Sequence, residues 1–183
     1  MTQAPLINPV APAEEQHTVD MVFNMVKEHI GFIPDGLKLY SLSPPLLQNF
    51  AGNIGYFREG TALPPTLTTM IRYLVSSAAN CSFCVDMNEG FLDHLGVDLD
   101  TARQARTNPE LAPLSDKEKV LLLLALKSVE DPDSIGEADI QQARAAGWTD
   151  RDIFDASVQA ASNRAFNYIL STFKIHHQGA FAA

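Results

Sequence analysis

The apolar residues of this sequence recur at helical spacing through most of its length, and strict alternation of apolar and polar residues is almost absent. Such a pattern is typical of amphipathic helices rather than strands. The first example has an apolar face that runs from Val19 to Ile30. Thr18 is its candidate N-cap and Gly31 its candidate terminator. The periodicity predicts an all-α protein, a single-domain bundle of about eight helices.

The N-terminal end of the chain does not share this pattern. Residues 1–17 contain three prolines and lack the basic and apolar regions of a signal peptide. We therefore expect an extended arm over residues 1–17 and one all-helical domain over residues 18–183. A chain of 183 residues is long enough to bury the core of one such domain.

Capping signals indicate where the later helices begin. Ser115 starts the sequence SDKE, a capping box directly before an apolar run over residues 120–126. Ser134 with Glu137 repeats that signal, and Thr149 with Asp152 opens the last long helix. The run over residues 120–126 is apolar all round, which predicts either the centre of a bundle or a subunit interface.

Charge and hydropathy exclude two classes of function. The formal net charge is −9 with no cluster of basic residues, so we expect no nucleic-acid binding. The longest aliphatic run has seven residues, far fewer than a bilayer span needs, so we expect no membrane insertion. Two cysteines in a chain of this size do not make a disulfide scaffold, and we expect a cytoplasmic protein.

The two cysteines, Cys81 and Cys84, stand three residues apart at the predicted start of a helix, with Asn80 as its N-cap and Gly96 as its end. At this spacing both sulfurs emerge on one face of the first turn, where free N–H groups and the helix dipole favour a thiolate. Such settings lower thiol pKa values to roughly 3.5–7.5. The spacing therefore suits reversible cycling between a dithiol and a disulfide.

Two other interpretations of the cysteine pair are open. A structural zinc site needs four ligands, and neither a second CxxC nor a nearby C-x-x-H accompanies this one. Two inert buried cysteines also fit, because free cysteine is among the most buried residue types. We expect neither a metal ion nor a cofactor.

The segment from LPP at residues 63–65 to CSFC at residues 81–84 resembles the peroxidase-related branch of the alkylhydroperoxidase D-like, carboxymuconolactone decarboxylase superfamily. Members carry a pattern like LPxxLRE, followed about a dozen residues later by CxxCxxxH. The resemblance extends over about residues 30–175. It implies a helical bundle of the alkylhydroperoxidase D-like type, usually oligomeric, with thiol peroxidase or disulfide reductase activity. The decarboxylase branch generally lacks the cysteine pair.

Two residues depart from that pattern. The glutamate of the family pattern falls at Thr69 and its histidine at Asn88. In the family these two groups form a proton relay that deprotonates the attacking cysteine. Position 88 lies one helical turn after Cys84, on the same face, so an acid/base group there reaches the sulfurs. Neither threonine nor asparagine titrates near neutral pH, so the sequence keeps the dithiol and loses its relay.

Two further residues are candidate supporting groups. Glu89 flanks the cysteine face of its helix, and Tyr73 lies one turn after Thr69 on the same helix face. A solvated surface carboxylate and a packed core tyrosine are the plainer interpretations. Asn163 and Asn167, an i, i+4 pair on the last helix, are interpreted as buried polar groups that satisfy local hydrogen bonds.

These observations favour a thiol redox enzyme that reduces hydroperoxides or disulfides, with Cys84 as the attacking thiolate and Cys81 as the resolving thiol. An external dithiol, or a protein that carries one, would reset it. Loss of a positioned base typically costs ~10²–10⁴ in rate, so we expect a slow enzyme.

A different class of function also fits the loss of both relay residues. The chain would then be a non-catalytic helical oligomer of the same fold that binds a small ligand or a partner. Lactone decarboxylation and a dehalogenase-like activity remain as further alternatives. In either case we expect a homo-oligomer, from the run over residues 120–126 and from the habit of the family.

Overall fold

The computed structural model describes residues 4–176, which form nine α-helices and no strand. The all-α prediction is confirmed, with one helix more than expected. The helices are α1 (Gln16–Ile30), α2 (Asp35–Tyr40), α3 (Pro44–Gly55), α4 (Pro65–Ala78), α5 (Ser82–His94), α6 (Leu99–Gln104), α7 (Asp116–Glu130), α8 (Glu137–Ala145) and α9 (Asp150–Thr172). No helix within residues 4–176 is long and apolar enough to cross a bilayer.

The first helix begins earlier than the sequence predicted. The Glu15 N–H donates to the Pro12 carbonyl oxygen at 3.0 Å, which starts a 3-10 turn over Ala13–Glu15 that leads into α1. Thr18 therefore lies inside the first turn of α1 rather than at its cap. Gly31 ends the helix as predicted, in the left-handed region at φ 83°.

Two of the three predicted capping boxes are confirmed. Ser115 caps α7 and Thr149 caps α9, each through reciprocal hydrogen bonds with the acidic residue three positions later. The prediction for Ser134 is wrong because that residue lies in a 3-10 turn, and Gly136 is the N-cap of α8. The carboxylate of Asp139 accepts the Gly136 N–H at 2.8 Å and so supplies half of the expected box.

The centre of the bundle is formed by α4, α7 and α9. Within the apolar run of α7, all residues from Leu121 to Leu126 except Leu123 are buried in the core of the single chain. The run is apolar on all sides because it lies at the centre of the bundle. The run by itself therefore no longer indicates a subunit interface.

A second, smaller apolar cluster surrounds the two cysteines. It is built by residues of α2, α5 and α9 and the segment after α9, namely Leu39, Phe83, Phe166, Leu170 and Ile175. Tyr40 and Phe50 stack over Phe166 at this place, with ring centroids 4.6 to 5.9 Å apart. The N-terminal end of α5 is thereby covered by apolar side chains.

Gly36 allows α2 to approach this cluster closely. A Cβ atom on Gly36 would lie 2.9 Å from Cζ of Phe166 and 3.2 Å from carbons of Leu170 and Phe83. A contact of 2.9 Å is shorter than real Cβ contacts, so a larger residue at this position would force the neighbouring side chains to shift.

Candidate dithiol site

Both cysteines lie at the N-terminal end of α5, which begins one residue later than the sequence predicted. Cys81 is the N-cap residue and Cys84 the third residue of the helix. The prediction of Asn80 as the cap is wrong because Asn80 adopts the left-handed conformation at φ 54°, which ends the turn after α4. The helix ends at His94, and Gly96 follows at φ 75° as a left-handed terminator.

The two sulfur atoms lie 2.7 Å apart in the protein interior. Cys84 is completely buried and Cys81 is 4% exposed. Both are free thiols. The two sulfurs therefore lie close enough to each other to form a disulfide.

The two thiols have pKa values displaced in opposite directions. The pKa of Cys81 is lowered, chiefly by its hydrogen bond with the Cys84 side chain, and this outweighs the effect of burial. The backbone N–H of Cys84 adds to the lowering. The pKa of Cys84 is raised by its hydrogen bond to Cys81, by burial and by the charge on Cys81.

Three buried polar side chains lie beside the sulfurs, and we refer to Ser76, Asn163 and Asn167 as the donor cluster. The amide nitrogens of Asn163 and Asn167 lie 2.9 and 3.1 Å from Ser76 Oγ. The polar side chain of Asn167 lowers the pKa of both thiols, and that of Ser76 lowers the pKa of Cys84.

Thr69 and Asn88, which stand at the predicted relay positions, are joined by a third residue. The Arg72 guanidinium donates to Asn88 Oδ1 at 3.0 Å and to Thr69 Oγ1 at 2.9 Å. The Asn88 amide nitrogen donates to the Cys84 carbonyl oxygen at 2.7 Å. Thr69 and Asn88 thus lie close together, and Asn88 binds the backbone of the cysteine helix and not a sulfur.

Arg72 is a cation with only neutral hydrogen-bond acceptors. Among residues 4–176, no carboxylate oxygen lies within 4.0 Å of its nitrogens. Burial lowers the pKa of Arg72 to about 10. The group stays charged at neutral pH and sits where the family pattern predicts a carboxylate and an imidazole.

Tyr73 and Glu89 are paired with each other instead of with the sulfurs. The Tyr73 hydroxyl donates to Glu89 Oε1 at 2.6 Å, and Arg103 contacts Glu89 Oε2 at 2.9 Å. Burial and this hydrogen bond raise the pKa of Tyr73, while Arg103 and Tyr73 hold the pKa of Glu89 below its usual value against the effect of burial. The structure does not bring these two candidates to the thiols.

A cleft of about 440 Å³ opens on the outer face of α5. Its lining includes Asn80, Ser82, Val85, Glu89, Arg103 and Arg106. The residues on both sides of Cys81 thus reach this cleft, whereas Cys84 lies on the opposite, buried side of the helix.

The sequence analysis missed two residues of the site. Arg72 follows Thr69 by three positions, so helical spacing alone could have placed it beside that residue. Ser76 gave no signal, because its partners Asn163 and Asn167 lie 87 and 91 positions away in the chain.

No protein-family model matches this chain, and no curated protein matches it. Several solved structures share its fold. An uncharacterized peroxidase-related protein from Silicibacter sp. TM1040 superposes with a TM-score of 0.82 at 24% identity, over 92% of this chain and 89% of that chain. A second such protein, the alkylhydroperoxidase AhpD core from Ralstonia eutropha JMP134, gives 0.82 at 22% identity, over 97% and 93% of the two chains.

A debrominase, Bmp8, has the same architecture. Its structure in complex with 2,3,4-tribromopyrrole matches with a TM-score of 0.77 at 17% identity, over 99% of this chain and 96% of that chain. The class that these matches define is the alkylhydroperoxidase D-like fold, and this chain has that fold. The resemblance in residues 63–84 is thereby confirmed at the level of fold.

Proposed function

We propose that the protein is a thiol-dependent oxidoreductase that reduces hydroperoxides or disulfides through Cys81 and Cys84. The observation that carries this proposal is the dithiol itself. Two free thiols lie within disulfide reach at the N-terminal end of α5, one with a lowered and one with a raised pKa. Such a pair combines an attacking thiolate with a thiol that resolves the product.

The proposed cycle has three balanced steps. One thiolate attacks the peroxide, the O–O bond breaks, and a sulfenic acid forms while the leaving alkoxide takes a proton from water. The second thiol attacks the sulfenic sulfur, which forms the disulfide and releases water. An external dithiol then exchanges with the disulfide, becomes oxidised itself and restores both thiols. We propose the cytoplasm as the compartment, since it supplies such dithiols.

The same site argues for a slow enzyme. No titratable group stands at position 69 or 88, and Asn88 does not reach a sulfur. The apolar cover of the cysteines also limits access of large substrates. The turnover number should therefore lie below that of enzymes with a Glu/His relay by the ~10²–10⁴ that a positioned base contributes.

The test is turnover of cumene hydroperoxide and of a small aromatic disulfide with dihydrolipoamide as reductant. The wild-type chain should consume both reductant and oxidant in equal amounts, whereas Cys81→Ser and Cys84→Ser variants should not sustain turnover. Activity of the two variants at the wild-type rate would overturn the proposal.

Two other functions are decided by the same assay. Because a debrominase is among the fold matches, a brominated pyrrole should be included in the assay as a third oxidant. Release of bromide that depends on both cysteines would indicate reductive dehalogenation. An intact protein that consumes none of the three oxidants would favour the non-catalytic ligand-binding function. The loss of both relay residues also favours that function.

We also propose that the chain pairs with a second copy through the outer face of α9. Phe154 and Tyr168 are 67% and 58% exposed there, and Ala161, also exposed, stands seven residues from each. Between Phe154 and the end of α9, Arg164 is the only charged residue that is not buried. In an antiparallel pair about a two-fold axis at Ala161, Phe154 of each copy meets Tyr168 of the other, which makes this face self-complementary.

A further inference from the structure

Arg72 has N–H donors that the chain does not use. A guanidinium carries five N–H donors and no acceptor. Nε of Arg72 donates to Asn88 Oδ1 and Nη2 donates to Thr69 Oγ1. The third nitrogen, Nη1, makes no hydrogen bond to the described residues and is not enclosed by them. Both of its N–H groups are therefore available to a ligand.

The chain also leaves the positive charge of Arg72 without a counterion. Every ion pair within residues 4–176 joins other residues, and both acceptors of Arg72 are neutral. A mostly buried cation is normally paired, because its removal from water is costly. A neutral donor could serve either acceptor as well. The uncompensated charge therefore indicates an anionic partner from outside the chain.

A second polar group lacks a partner on the facing helix. The amide oxygen of Gln159, in α9, is buried without a hydrogen bond to the part of the chain that the structure describes. In the same helix, Asp155 accepts from Thr61, just before α4, and Asn163 donates to the Arg72 carbonyl oxygen. Gln159 stands four positions from each, so it lies level with the first half of α4. Its amide can turn either N–H groups or its oxygen toward a ligand.

Arg72 stands beside the helix that carries the dithiol. Asn88, which accepts from Arg72, donates to the Cys84 carbonyl oxygen at 2.7 Å. Cys84 belongs to the smaller apolar cluster, and Met87, the neighbour of Asn88, packs against that cluster. A ligand held at Arg72 by a charged group can therefore extend an apolar body along α5 toward the cysteines.

We propose that Arg72 binds the carboxylate of a small apolar organic acid, and that the oxidant of the dithiol carries this group. The second statement rests on the proposed redox function. The planar fork of N–H groups matches a planar carboxylate, and the apolar surroundings favour its single charge over the two charges of a phosphate ester. Arg72 orients the oxidant and transfers no proton.

The first test is calorimetric binding to the reduced wild-type protein at low ionic strength, with benzoate and its uncharged analogue benzamide as probes. Both carry the same ring and neither oxidises a thiol, so the measurement needs no turnover. Benzoate should bind more tightly than benzamide by about tenfold or more, because hydrogen bonds between ionised groups are stronger than neutral ones. Equal affinities, or no binding of benzoate at millimolar concentration, would overturn the proposal.

Arg72→Gln should abolish the preference for benzoate, because it removes the charge and leaves a donor for Asn88. Arg106→Gln is the matched control and should keep the preference. The Arg106 guanidinium also has a neutral partner, Ser77 Oγ at 3.0 Å, but it lies in the cleft on the outer face of α5. If the glutamine variant at position 72 does not fold, Arg72→Lys decides, since one ammonium group cannot form two parallel hydrogen bonds and should bind benzoate more weakly. Wild-type affinity for benzoate in a folded variant at position 72, or its loss in Arg106→Gln, would refute the site.

The oxidant is tested with two aromatic disulfides, one built from nitrobenzoate and one from uncharged nitropyridine units. The ratio of their reduction rates, carboxylated over uncharged, should fall by about tenfold or more from wild type to Arg72→Gln. A protein that prefers benzoate but reduces neither disulfide would reject the redox function alone. Turnover with a rate ratio that Arg72→Gln leaves unchanged would reject only the carboxylated oxidant.

Discussion

Position 88 illustrates how one residue changes the chemistry that surrounds a thiol. A histidine there would accept a proton from sulfur, whereas the Asn88 amide donates to the Cys84 carbonyl oxygen and accepts from Arg72. The side chain thus ties α5 to α4 and takes no part in proton transfer. The polar side chains that lower the thiol pKa values come from α4 and α9 instead, namely Ser76 and Asn167.

The charge of Arg72 is held in the protein interior at a cost. Burial lowers its pKa to about 10, which corresponds to a cost of about 3 kcal/mol. A cationic group with a lowered pKa in the folded state destabilises the fold at every pH below about 10, and the cost is relieved as pH rises above that value.

Arg72→Gln removes this charge and keeps an N–H donor for Asn88. We expect the free energy of unfolding at pH 7 to stay equal or to rise, by up to about 3 kcal/mol. Arg72→Met should be less stable than the glutamine variant by about 1–3 kcal/mol, because Asn88 Oδ1 loses its donor. Urea unfolding at pH 7 measures both. If the glutamine variant is as unstable as the methionine variant, the charge of Arg72 does not lower the free energy of unfolding.

Helical spacing explains which site residues the sequence could predict. Cys81, Cys84 and Asn88 share one helix, so their spacing alone placed them together. Ser76 hydrogen-bonds to residues far away in the chain, and the periodic pattern of a sequence cannot predict such partners. The attacking cysteine was assigned to Cys84 because that residue is nearer to position 88, and this assignment stays a prediction.

At the scale of the elements, the approach of α2 to α5 and α9 controls the cover over the dithiol. Gly36 lies against the side chains of Phe166, Leu170 and Phe83. These side chains belong to the same apolar cluster as the two cysteines. The packing of one short helix thus determines how far the sulfurs are shielded.

Gly36→Ala should push α2 away from this cluster. The added methyl group overpacks it, so we expect a loss of about 1–3 kcal/mol in the free energy of unfolding. Both thiols should also react faster with iodoacetamide in the folded protein. Gly52→Ala, in α3, is the matched control because a Cβ there meets no atom within 4 Å. It should be neutral or stabilising by about 0.5–1 kcal/mol. Equal alkylation rates in both variants would contradict the covering role of α2.

Helix starts were predictable at two capping boxes, where the N-cap side chain and the acidic residue three positions later are both visible in the sequence. Ser115 and Thr149 are these N-cap residues, and both were placed correctly. The predictions failed at Thr18, Asn80 and Ser134, where a short turn precedes the helix and shifts its start. Such turns depend on backbone hydrogen bonds, which the residue types do not reveal.

At the scale of the whole molecule, association of two chains should depend on the outer face of α9. Phe154→Glu places a charge where the aromatic ring would be buried in the pair, so we expect the variant to sediment as a monomer at micromolar concentration. Leu111→Glu, at another exposed apolar residue, is the control and should sediment like the wild type. A wild-type monomer, or a Phe154→Glu dimer, would refute this interface.

The claim central to this account is that Cys81 and Cys84 form a reversible redox pair. The most direct measurement is a count of free thiols, with peptide mapping, after exposure of the folded protein to one equivalent of hydroperoxide. Both thiols should disappear together, as one intramolecular disulfide between Cys81 and Cys84, and a small dithiol should restore both. Two free thiols that persist while the peroxide remains unconsumed would contradict the claim.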